Sequence, residues 1–283
     1  MLRSALKVLG RDDVDAALAL CARDPVANLF VAARLLAVRV DPRRHTGEVW
    51  GWHESGELRS VCWSGANLVP VEATPSALEA FAHRARRHGR QCSSIVGPAG
   101  PVLTLWGYLQ SSWGPARDVR AHQPLMATSA GPLIAPDPGV RRTRLDELDL
   151  IVPACVAMFT EEVGYSPVAA DGGTLYNSQV RNLVAAGRSL ARIDEGSGGP
   201  QVVFKAELGS VTHEAVQVQG VWVNPRYRGR GLAAPGMAAV VELVQREVAP
   251  VVSLYVNSFN TRAVRAYQRV GFATVGTYAT ILF

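Results

Sequence analysis

The residues with the clearest chemical potential are Arg226-Tyr227-Arg228-Gly229-Arg230-Gly231. They follow the apolar run Val221-Trp222-Val223 and the breaker Asn224-Pro225, and lead into an apolar-periodic segment. A strand that turns into a helix in this way aims several backbone N–H groups at one point, where the helix dipole is positive. Glycines lack a Cβ, so phosphate oxygens can approach the backbone, and each charge-assisted bond contributes about 1.5–3 kcal/mol. The chemistry is capture of a phosphate or pyrophosphate. The run has neither the Lys-Ser/Thr pair of a Walker A loop nor the GxGxxG of a dinucleotide-binding turn. Alone, it also fits an arginine-rich surface turn with glycine supplying a positive φ.

A second run, Asn257-Ser258-Phe259-Asn260-Thr261-Arg262-Ala263, precedes Tyr267 and then Gly271-Phe272. Asn260 can cap a helix beginning at Thr261, and Tyr267 then lies two turns on, on the same face. A phenol of pKa about 10 can protonate a departing thiolate whose conjugate acid has a pKa of about 8.5.

Together the two runs resemble the paired signatures of the GCN5-related N-acetyltransferases (GNAT). Arg226, Gly229 and Gly231 match Arg/Gln-x-x-Gly-x-Gly/Ala, while Asn260, Ala263, Tyr267, Gly271 and Phe272 match Asn-x-x-Ala-x-x-x-Tyr-x-x-x-Gly-Phe. The resemblance covers residues 140–283. It implies acetyl-CoA or another acyl-CoA as cofactor and donor, a small-molecule or protein amine as acceptor, and acyl transfer by direct attack. The backbone around Arg226, Arg228, Gly229, Arg230, Gly231, Leu232 and Ala233 would hold the pyrophosphate. Val221, Trp222 and Val223 would pair with the pantetheine arm, and Asn257, Asn260 and Ala263 would also contact the coenzyme. Tyr267 would be the acid for the leaving thiolate.

A lysine amine is neutral in only about one part in 2500 at pH 7, a penalty of about 4.6 kcal/mol, whereas an α-amine pays about 1.4. Some family members carry a basic glutamate about ten residues before the phosphate loop; here that position is Val216. Glu214, two residues back on the same strand face, is the candidate base, with Glu207, His213, an ordered water or a backbone carbonyl as alternatives. In the run Phe159 to Tyr165, the residues Glu161, Glu162 and Tyr165 are candidates for binding a cationic acceptor; a solvated acidic helix end is the bland reading. A catalytically silent acyl-CoA-binding regulatory module is the alternative function.

The elements that must position these groups read as an α/β (α+β) fold with a mixed central sheet flanked by helices. The C-terminal order is strand 140–145, helices 148–163 and 174–186, strands 188–193, 201–208 and 214–223, a helix after Gly231, strand 251–256, helix 261–270 and strand 272–283. Prolines and glycines between Gly131 and Gly139 mark an interdomain linker at residues 131–139, separating domains 1–130 and 140–283. The first domain shows a similar order: helix 13–36, strands 48–53, 58–63 and 68–71, helix 76–88, strand 93–96, helix 102–111 and strand 124–127. It resembles a degenerate copy of the same fold. Gly51-Trp52 and Ala66-Asn67-Leu68-Val69-Pro70 also resemble a domain of unknown function that accompanies actinobacterial acetyltransferases.

Hydrophobic residues make up 48% of the 283 and charged residues 19%, the balance of a globular protein with a full core. No apolar run approaches the roughly 18 residues of a membrane span, and the start lacks a signal-peptide profile, so a cytoplasmic protein is expected. The net charge of +5 favours anionic partners, but the basic run His83 to His88 reads as a solvated helix face rather than a nucleic-acid surface. Four scattered cysteines without a CxxC pair read as free buried thiols, and no metal site is expected.

Overall fold

A computed structural model describes residues 5–40, 47–169, 172–196 and 198–283, divided between two units. The first unit comprises the described residues up to Met126 with Tyr255–Phe259 and Thr274–Phe283, and the second Ala127–Leu254 with Asn260–Ala273. Among the described residues no helix is long and apolar enough to cross a membrane.

The first unit runs β1 (Ala5–Val8), α1 (Val14–Cys21), α2 (Leu29–Val40), β2 (Glu48–Glu54), β3 (Glu57–Ser64), β4 (Asn67–Val71), α3 (Pro75–His88), β5 (Ser94–Pro98), α4 (Ala99–Trp113) and β6 (Asp118–Thr128). Strands β1 to β4 are antiparallel neighbours, and β4 meets β5 in parallel only over Asn67–Leu68 and Ser94–Ile95. Alternation along the strands gives each sheet face its own core. Trp50, Cys62 and Ile95 pack with Phe81, Leu105 and Leu109 of α3 and α4, while Val49, Val61 and Trp63 pack with Ala17, Leu20 and Leu35 of α1 and α2. The single helix expected over 13–36 is two, because the Asp24 carboxylate accepts the N–H groups of Val26 and Ala27 and turns the chain. In the basic run on α3, Ala85 is core, and Arg84 pairs with Glu48 and stacks over Trp50.

The second unit runs β7 (Arg141–Arg142), α5 (Leu148–Val163), α6 (Thr174–Ala185), β8 (Ser189–Gly196), β9 (Gly199–Val211), β10 (Ala215–Val223), α7 (Ala233–Glu247), β11 (Val251–Tyr255) and α8 (Thr261–Val270). Its sheet order is β7-β8-β9-β10-β11, with only β10–β11 parallel. Strand β7 is shorter than expected because Glu147 accepts the Arg144 N–H at 2.8 Å and draws the chain into a 3-10 turn. Strands 188–193 and 201–208 form the hairpin expected across the loop 194–200, with a shorter loop: pairing runs as far as Gly196 with Gly199, and Ser197 lies outside the described residues. In chain order both units begin β-α-α-β-β-β-α-β-α, and the first continues with β6.

The last strand, β12 (Ala273–Leu282), corrects the expected division of the chain. Apart from Ala273 it belongs to the first unit, antiparallel to β5 from Tyr278 with Pro98 to Leu282 with Ser94. Its alternation puts Ala279 and Ile281 into the core formed by α3 and α4, and the Tyr278 hydroxyl donates to Ala27 O at 2.6 Å. Ile281 is fully buried, so Ile281→Ala should cost about 2–5 kcal/mol in urea unfolding, and a cost below about 1 kcal/mol would contradict this packing.

Candidate functional site

The site begins with an extra residue in β10. Gln219 pairs with Glu207, and the next pair is Trp222 with Lys205, so Gly220 and Val221 together face Ala206 alone. Such a bulge re-aims the residues that follow it. Gly220 takes the left-handed conformation (φ +58), and a Cβ there would stand 3.2 Å from the Glu207 carboxylate and 3.1 Å from Met158 Cε. On its other side β10 pairs with β11 only over Ala215–Gln217 and Val251–Ser253. Beyond Gln217 that edge carries no strand partner among the described residues.

After Val223 the side chain of Asn224 organises the turn, giving its amide N–H to Val202 O and accepting the Arg226 N–H at 3.1 Å. A 3-10 turn over Pro225–Tyr227 leads to Gly229 and Gly231, both left-handed at φ +78 and +75, with open space where each Cβ would stand. Helix α7 starts at Ala233, and among the described residues no acceptor within the chain meets the N–H groups from Gly229 to Ala234. Arg226 and Arg230 are exposed, with Arg230 over the Tyr227 ring, while Arg228 donates to Val223 O at 3.0 Å and pairs with Glu161 at 2.5 Å. Exposed left-handed glycines, unspent N–H groups and arginines at a helix start form a donor set that fits a pyrophosphate.

Residues 186–272 match the acetyltransferase (GNAT) family model, and residues 47–151 match a domain of unknown function, DUF4081. Residues 186–272 thus carry the pattern of a GNAT acetyltransferase domain. A GNAT-family acetyltransferase from Colwellia psychrerythraea shares 11% identity over 99% of both chains, at a TM-score of 0.59. A tandem GNAT protein from the clavulanic acid biosynthesis pathway shares 14% over 99% of this chain and 98% of its own, at 0.59. A GCN5-related N-acetyltransferase from Sphaerobacter thermophilus shares 19% over 98% and 94%, at 0.58. These structures share the fold along the whole chain. No curated protein matches the sequence.

In the GNAT domain, Tyr267 lies on α8, only 7% exposed, with its ring centroid 6.0 Å from that of Phe272. Burial, then the charge of Glu162, pushes its phenol above the ordinary range, so the hydroxyl keeps its proton. Asn260 caps α8 by accepting the Ala263 N–H at 3.2 Å, which spends that amide. Asn257 belongs to the first unit, where it accepts from Gln123 Nε2 at 2.9 Å. Trp222, buried, donates its indole N–H to Glu161 at 3.1 Å, so Glu161 bridges β10 and the phosphate-type loop. Tyr165 is exposed, its ring edge-on to Phe159 at 5.5 Å.

Glu214 is not where the sequence reading puts it. It sits in the exposed bend between β9 and β10, roughly 25 Å along the strand from Val221–Val223. The carboxylate that does reach the bulge is Glu207, 6% exposed. The fully buried Lys205 donates to Glu207 Oε1 at 2.7 Å and to Gly220 O at 3.0 Å, and Cys155 Sγ approaches the same carboxylate at 3.3 Å. Burial alone would lower the lysine pKa, but Glu207 and Cys155 outweigh it and hold the value above the usual range, whereas burial pushes the Cys155 thiol up to about 12. Sequence reading missed Lys205 altogether, although Lys205 and Glu207 at strand spacing inside the apolar run Val202 to Leu208 carry the signal. All four cysteines are free and buried.

Two cavities, of about 360 and 410 Å³, lie in the first unit and contain none of these residues. The open loop and strand edge of the second unit suit an extended ligand better than a closed pocket would. Glu161 places a negative charge beside that loop. Glu161→Gln keeps an acceptor for Trp222 and removes the charge, so it should tighten CoA binding about two- to fivefold in calorimetry. Weaker binding would show that Glu161 does not compete with the phosphates for Arg228.

Proposed function

We propose that this chain transfers an acetyl or other short acyl group from acyl-CoA to a primary amine by direct attack. The observation that carries this reading is the run of unspent N–H groups from Gly229 to Ala234, following a strand whose edge is also bare. Those amides, with Arg226 and Arg230, would hold the pyrophosphate, and the β10 edge at Val221 and Val223 would meet the amides of the pantetheine arm. Arg228 already occupies Val223 O, so Arg228 would have to exchange that bond for phosphate if both groups are to serve the ligand. Bound acyl-CoA would supply the activated thioester carbonyl and the thiolate leaving group.

Tyr267 would hold the proton for that thiolate at its hydroxyl. A phenol kept neutral by burial remains a hydrogen-bond donor to the departing thiolate throughout the physiological range, although burial makes full transfer of its proton to a thiolate of conjugate-acid pKa about 8.5 uphill. Glu162, whose charge acts on Tyr267, and the exposed Tyr165 would form the acceptor side. No carboxylate is needed for an acceptor of α-amine basicity, which loses its proton at a penalty of about 1.4 kcal/mol at pH 7. This agrees with the remote position of Glu214.

Release of free thiol from acetyl-CoA with a panel of amines tests the proposal. Tyr267→Phe should lower kcat about a hundredfold and leave the KM for acetyl-CoA nearly unchanged, because the hydroxyl acts on the leaving group and not on the resting donor. An unchanged kcat would remove Tyr267 from the chemistry. Tight CoA binding with no amine-dependent thiol release from any acceptor would favour a silent binding module, and no CoA binding at all would overturn the proposal.

A further inference from the structure

The buried ion pair of Lys205 and Glu207 sits directly under the bulge of β10, on the strand opposite it. Gly220 has no partner in the β9 register, so its carbonyl cannot be satisfied by the neighbouring strand as an ordinary ladder residue's would be. The Lys205 ammonium meets it instead, at 3.0 Å. The same ammonium is anchored by Glu207 at 2.7 Å, and Glu207 in turn is contacted by Cys155 Sγ from α5 and, at 3.5 Å, by Gln219 Nε2. Tyr176 on α6 donates its hydroxyl to Cys155 O at 3.0 Å, tying a second helix to the same point. The Glu207 carboxylate also fills the space in which any side chain at position 220 would stand.

Two charges so enclosed are a poor way to gain stability, since apolar side chains of similar volume usually do as well or better. Their geometry has a different consequence. The ammonium fixes the Gly220 carbonyl, where β10 carries its extra residue, and the next residues are Val221 to Val223, the bare strand edge.

We infer that Lys205 and Glu207 are positioning residues that lock the β10 bulge and so hold the Val221–Val223 edge in the geometry that receives the pantetheine arm of the coenzyme. The inference rests on the acyl-CoA reading and deepens it: the loop at Gly229–Ala234 captures the phosphates, and the ion pair sets the thiol-bearing end. The pair is buried beneath the strand and would meet neither the phosphates nor the reacting atoms.

The test compares two ligands on the full chain by calorimetry: acetyl-CoA, and 3′-phosphoadenosine 5′-diphosphate, which keeps the phosphates but has no pantetheine. The variant is the double substitution Lys205→Met with Glu207→Leu, which removes both charges together and avoids stranding one of them. Its thermal midpoint should stay within a few degrees of the wild type, while acetyl-CoA affinity falls about tenfold, as the loss of one or two backbone hydrogen bonds requires, and fragment affinity changes less than about twofold. Parallel weakening of both ligands would make the pair a general support of the fold, and unchanged affinity for both would make it irrelevant to the edge; either overturns the inference. Wild-type protein that binds neither ligand would instead overturn the coenzyme reading beneath it. Should the double variant lose its melting transition, Glu207→Gln keeps an acceptor for the ammonium and carries the same comparison, with an expected loss of about threefold for acetyl-CoA alone.

Discussion

One surplus residue in β10 governs the second unit. Because Gly220 and Val221 together oppose Ala206, the strand leaves its ladder after Gln219 and resumes it at Trp222. The backbone can do this only where a left-handed residue is tolerated, where the freed carbonyl finds a donor and where no side chain is needed. Gly220 meets the first and third conditions, and Lys205 the second. Everything downstream inherits that geometry: the Val221–Val223 edge, the Asn224 turn, the left-handed pair Gly229 and Gly231, and the start of α7.

Electrostatics then divides the unit into a buried part and an exposed part. Below the bulge, Lys205 and Glu207 pair at 2.7 Å, both shielded from water. At the surface, Arg226, Arg228 and Arg230 surround amides that meet no internal acceptor among the described residues, and Arg228 is held by the carboxylate of Glu161. An anion arriving at this loop would meet a preformed set of amide donors and would have to draw only Arg228 from Glu161 and Val223 O. Glu161 also fixes Trp222, so the same side chain links the strand edge, the loop and the end of α5.

Much of this was readable from residue types. Strand-breaker, glycine pair and apolar period at the loop all refer to neighbours in sequence, and the bounds of α5 and α8 follow from local periodicity and capping, at Leu148–Val163 and Thr261–Val270. The misreadings concern what lies across space. Val216, Val218 and Gly220 look like one uninterrupted alternation, and nothing local marks that β9 is one residue short opposite Gly220. Lys205 and Glu207 have the spacing of a wet strand face, and only the packing of α5 over them makes them interior. Glu214 has the phase of a strand residue, but Thr212 accepts its N–H and turns the chain before β10 begins. Alternation in β12 identifies a strand without saying which sheet receives it, so its place in the first unit became clear only from its pairing with β5.

The central claim, that a phosphate-bearing coenzyme is held by the amides at the start of α7, is tested most directly by amide chemical-shift mapping during titration with CoA. The largest shifts should fall at Gly229, Arg230, Gly231, Leu232 and Ala233, with smaller ones at Val221 and Val223. Shifts confined to the cavities of the first unit, or no saturable shifts at all, would contradict it.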